Sequence, residues 1–125
     1  MDDTRRAQLL RIFLVLFGIV FILVYPISLV WPSGWTWGNG YSHYYPMIVG
    51  VYVVWGVFLI IASRSPGEHR SLIAFTAWAS LAHGLIMAVQ AAQDGMETGH
   101  FIGDVPALIL VFVVLLWLAP RKAAA

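Results

Sequence analysis

The side chains best equipped for chemistry gather on one predicted helix, residues 66–93. At ~100° per residue, Thr76, Ser80, His83, Met87, Gln90 and Asp94 fall within roughly an 80° arc, with Ala77, Gly84, Ala88 and Ala91 alongside. Phe75, Trp78, Leu85, Ile86 and Val89 take the opposite side. An imidazole, an amide, hydroxyls and a thioether in one stripe can orient a ligand by hydrogen bonds and soft contacts. His83 could also serve as a general base, but acid–base chemistry needs a second positioned group and a substrate. The sequence names neither, so the chain reads as a binding protein before it reads as an enzyme.

His83 lies about twelve residues into its helix, ~18 Å along the axis at ~1.5 Å per residue. In a bilayer that is near the centre, where an ionisable group is costly. Two readings follow. His83 either marks a functional site, or it is a structural imidazole hydrogen-bonded to Tyr52, Ser80 or a neighbouring carbonyl. Tyr25 and Ser28 on the first helix and Tyr52 on the second reach similar depths, so a polar cavity walled by Trp55 and Met47 is expected between His83 and Gln90. Polar contacts between helices would give the same pattern. Ser80, Gly84, Ala88 and Ala92 follow the small-x-x-x-small spacing that lets backbones approach.

A second constellation lies past the end of this helix: His43, Asp94, Glu97, His100 and Asp104. His100 and Asp104 are one helical turn apart. Imidazole and carboxylate together suit a divalent metal, making His43, His100 and Asp104 a candidate set, though no strong zinc spacing is present. Asp104, before Val105-Pro106, also reads as a helix N-cap.

The elements that must carry these residues are membrane helices. A chain of 125 residues that is 61% hydrophobic and 10% charged, with mean hydropathy +0.84, cannot cover a soluble globule with polar surface. Four apolar stretches, about 9–31, 45–63, 66–93 and 104–119, approach the ~20 residues needed to cross a bilayer. The fold class is therefore all-α: a single domain over 1–125, an antiparallel bundle of four transmembrane helices. The first stretch exceeds a signal peptide's apolar core and lacks a small-residue cleavage site, so it is expected to remain as a helix.

All seven Lys and Arg lie before the first stretch, between the second and third, or after the fourth, as Arg5, Arg6, Arg11, Arg64, Arg70, Arg121 and Lys122. Basic residues near short loops stay cytoplasmic, placing both termini and the middle connection inside. The opposite connections carry acids, histidines and the aromatics Trp31, Trp35, Trp37, Tyr41, Tyr44 and Tyr45. Their expected role is an interfacial belt, with a lid as the alternative. Tyr25-Pro26 should kink the first helix, and Ser65-Pro66-Gly67-Glu68 reads as a capping box opening the third. A net charge of +1 gives no sign of nucleic-acid binding. Without cysteine there is no disulfide or thiolate chemistry.

The strings WPSGW at 31–35, SLIAFTAWASLAHGLIMAVQ at 71–90 and GHFIGDVPALIL at 99–110 resemble a family of small bacterial four-helix membrane proteins of unknown function. The architecture is also similar to that of DoxX-like membrane proteins. These resemblances imply a multi-pass protein of the bacterial cytoplasmic membrane and bring no catalytic residues. The leading reading is an integral membrane protein binding a small ligand or partner through His83, Gln90, Tyr52, Tyr25, Ser80 and Met87. A quinone-like or other amphipathic molecule suits such a site. The alternative is an accessory subunit, assembled as a homo-oligomer or within a larger membrane complex. A metal, haem or proton-handling protein is a third reading, but bis-histidine haem needs a second imidazole at the depth of His83 and proton transfer needs a relay. One chain supplies neither.

Overall fold

Asp2 opens the first helix by accepting from the Arg5 amide at 2.7 Å, and α1 runs Asp3–Ile22. Pro26 ends it: without an amide hydrogen for the Ile22 carbonyl, and with a ring that crowds that carbonyl, the chain breaks at Leu23. It restarts as α2, Val24–Val30, bent by 62° from α1. Pro32 then starts a single helical turn, α3, Pro32–Trp35. The remaining elements are α4 (Tyr44–Ala62), α5 (Arg70–Gln93), a 3-10 turn at Thr98–Phe101 and α6 (Asp104–Leu118). This computed structural model describes residues 1–38 and 42–121. Tyr41 and Lys122 lie outside the described residues.

Two helix starts differ from expectation. The Ser65 capping box does not form, because the Ser65 carbonyl accepts the Glu68 amide at 3.0 Å and the Pro66 carbonyl accepts the His69 amide at 3.2 Å. Residues 66–69 are therefore turns, and α5 begins at Arg70. Asp104 is the first residue of α6 instead of its cap. Its carboxylate is engaged by His100 instead.

Three helical segments, Tyr44–Ala62, Arg70–Gln93 and Thr98–Leu118, are long and apolar enough to cross a membrane, and α1 with α2 adds a fourth if the bent pair is one span. The exterior matches that solvent. On α5, Phe75, Trp78, Leu85, Ile86 and Val89 are all exposed, as expected for a face toward lipid.

The helices associate as two pairs, α1 along α4 and α5 along α6. Gly18 and Gly56 set the first approach: a Cβ on either would strike the other's carbonyl oxygen. Gly84 serves the second, facing Leu108 and Ile109 of α6. The buried ridge of α5 runs through Ala77, Ser80, Gly84 and Ala91, but Ala92 is exposed. Steps of four residues drift by ~40° each, so three steps carry Ala92 off the face.

Leu10, Leu14, Leu59, Ile73, Leu115 and Leu118 join the two pairs in one core cluster. The Arg6 guanidinium reinforces this end by donating to the carbonyls of Trp117 and Ala119 at the end of α6, where the helix leaves its acceptors unpaired. Arg121 and Asp3 also meet at 3.6 Å, an exposed ion pair that contributes little. Between the pairs, α4 and α5 make little contact, and a cavity lies among the four long helices.

Candidate functional site

The cavity measures about 470 Å³ and draws its walls from every long helix: Phe17 and Phe21 of α1, Ile48 and Tyr52 of α4, His83, Met87 and Gln90 of α5, and Asp104, Leu108 and Val111 of α6. Ile48 and Ile86 are about half exposed on its margins. Val20 of α1 and Leu110 of α6, also among its walls, are exposed too, so the margins of the cavity reach the apolar exterior. Its walls are mainly hydrocarbon and aromatic, with a few polar groups.

A polar contact joins the two helix pairs across the cavity. The Tyr52 hydroxyl and His83 Nδ1 lie 2.7 Å apart. If the hydroxyl donates, His83 carries its hydrogen on Nε2; if Nδ1–H donates, the phenol oxygen accepts. Phe21 and Trp55 hold the Tyr52 ring, with centroids at 4.8 Å and 5.4 Å. Trp55 is in turn fixed by donating to Thr76 Oγ1 at 2.8 Å, and Thr76 donates to the Leu72 carbonyl at 2.8 Å. Of the bonding partners open to His83 from sequence, Tyr52 is the one used.

His83, Gln90, Tyr52 and Met87 therefore share the cavity, whereas Tyr25 and Ser80 are not among its walls. The bend at Leu23 accounts for Tyr25, which is half exposed with its ring 6.3 Å from that of Tyr45. Ser80 is buried on the packed ridge, and its Oγ has no hydrogen-bond partner. Trp55 and Met47 do not wall the cavity either. Trp55 is committed to Thr76 and the rings around it, and Met47 is largely exposed.

The aromatic connection was expected as an interfacial belt with a lid as the alternative, and part of it roofs the cavity. Trp35 and Trp37, from the connection after α2, line the cavity with Ser42, Tyr44 and Tyr45. Trp31 and Tyr44 remain exposed as an interfacial belt would require, but Trp35 and Trp37 are half-buried. This connection is fastened to the one between α5 and α6. Gly99 lies against the Ser33 carbonyl and Gly103 against the Gly34 backbone, so closely that a Cβ on either would overlap it. The Gly38 amide donates to Glu97 Oε1 at 2.8 Å, and Gly38 itself takes φ +75, a conformation that favours glycine. Tyr45 and Ser28 add a hydroxyl–hydroxyl bond beneath. The signal available in the sequence was the glycine at 34, 99 and 103.

At the centre of the fastening is His100, fully buried. Its Nδ1 lies 2.8 Å from Asp104 Oδ1, and its Nε2 lies 3.2 Å from both the Thr36 carbonyl and Glu97 Oε2. Trp37 stacks on the ring at 4.0 Å with planes 16° apart. Acceptors thus flank both nitrogens, and only a ring with an N–H on each pairs fully with them. The expected His100–Asp104 contact is present, but the two carboxylates address opposite ring nitrogens and do not converge on one point. His43 sits just before α4. Among the described residues no group of three or more His, Asp or Glu side chains is arranged to hold a metal ion, His43, His100 and Asp104 included.

The geometry can enclose an apolar body, offer it hydrogen bonds at Tyr52–His83 and Gln90, and present a carboxylate at Asp104. The family model for the family of unknown function DUF6632 matches residues 4–124, and the chain belongs to that family. No curated protein and no solved structure matches the chain.

Proposed function

We propose that this member of a family with no assigned activity is an integral membrane protein that binds a small amphipathic molecule in the cavity between its two helix pairs. The observation that carries the reading is the cavity itself. About 470 Å³ is within the range of small-molecule sites, and apolar walls with a few converging polar groups are their usual makeup. Its margins at Val20, Ile48, Ile86 and Leu110 are exposed on the apolar exterior, which lets such a molecule enter from the bilayer.

The topology that suits this role is an antiparallel four-helix bundle, α1 and α2 forming one broken span, in a bacterial cytoplasmic membrane. Both termini and the 63–69 turn lie inside, and the roofed end of the cavity lies outside. The basic residues support that orientation, and the four-helix plan is compatible with the architecture of DoxX-like proteins without importing any activity from them. The chain lacks cysteine, so single thiols report sidedness cleanly. Met96→Cys should label from outside and Gly67→Cys from inside; the reverse would overturn the topology.

The binding reading is tested by native mass spectrometry of protein extracted in gentle detergent. A small molecule should remain bound at about one per chain, and both His83→Leu and the cavity-filling Ala107→Phe should reduce it strongly. Retention at the original stoichiometry in both folded variants would sink the reading.

A further inference from the structure

We infer that the occupant of this cavity is an organic cation: a substituted ammonium or similarly soft positive group on an apolar body. The inference rests on the binding reading above and names the chemistry of its ligand.

The first support is charge. No Lys or Arg occurs from residue 12 to 63 or from 71 to 120, so no permanently cationic side chain from these stretches faces the cavity. Asp104 does line it. Asp104 and Glu97 flank the single imidazole of His100, so with both carboxylates ionised the trio is net negative even when each ring nitrogen carries an N–H. Such charge in a low-dielectric wall attracts a cation and repels an anion more strongly than it would in water.

The second support is the company Asp104 keeps. Trp35, Trp37, Tyr44 and Tyr45 line the same cavity, and aromatic faces attract cations, the more so once both are desolvated. Below them Phe17, Val20 and Leu108 offer only hydrocarbon to the rest of the molecule. A hard metal ion is the wrong cation for this wall, since it requires several converging oxygens and the described residues assemble no such group. A weakly hydrated organic cation requires ring faces, one nearby negative charge and apolar volume.

The test uses two probes of the same shape and opposite charge, tetraphenylphosphonium and tetraphenylborate, in equilibrium dialysis against the full chain in a non-ionic detergent. The phosphonium should bind at one per chain, at least about tenfold more tightly than the borate, a preference worth ~1.4 kcal/mol. Asp104→Asn should remove most of that preference. Because this change also disturbs His100, Tyr44→Leu provides a second variant at an exposed position; it should weaken the phosphonium several-fold and leave the borate unchanged. Equal binding of the two ions, or tighter binding of the borate, would overturn the cationic assignment while leaving the cavity a binding site. If neither ion binds and no molecule co-purifies, the binding reading falls with it.

Discussion

The two ends of this bundle are built from the same four helices and by opposite rules. At the basic end, Leu14, Leu59, Leu115 and Leu118 are fully or almost fully buried, and Arg6 ties the start of α1 to the end of α6. At the other end the helix pairs separate, leave about 470 Å³ between them, and are bridged by their connections. The difference shows how a small membrane protein can have both a stable fold and an internal site. One end supplies the packing, so the other can leave apolar side chains around empty space.

This division predicts unequal responses to equivalent substitutions. The largest effect belongs to Leu115→Ala in the closed end. The unfolded chain in lipid is already surrounded by hydrocarbon, so the loss is of packing contacts more than of transfer from water. A loss near the lower end of the range for buried Leu→Ala, about 2 kcal/mol, is expected. Equilibrium unfolding in detergent or bicelles checks it, and an effect below experimental error would mean that the closed end does not hold the bundle together.

A smaller but sharper contrast comes from adding volume. Ala77→Leu inserts three carbons where Ala77 is 1% exposed, and overpacking should cost about 1 kcal/mol, the lower end of its usual range. Ala107→Leu adds the same carbons to a cavity wall, where empty space receives them. It should leave stability at the parent's level or raise it, since filling a void restores contacts. Equal destabilisation by the two would erase the distinction between the ends.

The outward face of α5 was the part most legible in the sequence. Lipid and core sort side chains by helical period, so Phe75, Trp78, Leu85, Ile86 and Val89 could be assigned outward from spacing alone. The same period placed Ser80 and His83 in one stripe but could not separate them: Ser80 turned to the packed ridge and His83 to the gap. Tyr25 left the site because Pro26 acts on the carbonyl four residues earlier, bending the chain before Tyr25 is reached. The roof was harder still. Trp35 and Trp37 have the residue type of an interfacial belt, and contacts with residues far away in sequence, Gly99 and Gly103 against Ser33 and Gly34, Glu97 on Gly38 and His100 against Trp37, fold them inward. His100 with Asp104 was readable from their spacing, but its second neighbours, Glu97 and Thr36, depend on the meeting of two distant connections.

The smallest effect tests whether that meeting is held by hydrogen bonding or by charge. Glu97 accepts from the Gly38 amide through one oxygen and faces His100 through the other. Glu97→Gln keeps a carbonyl oxygen for Gly38 and removes the negative charge; Glu97→Ala removes both. One hydrogen bond of this kind contributes about 0.5–1.5 kcal/mol, too little to move global unfolding far in a bundle anchored at its opposite end. The local readout is hydrogen exchange at the Gly38 amide. Alanine should accelerate it about tenfold while glutamine leaves it near the parent rate, as expected if the acceptor oxygen fastens the loop. Equal acceleration by both would transfer the role to the charge beside His100, and the roof would then be held electrostatically.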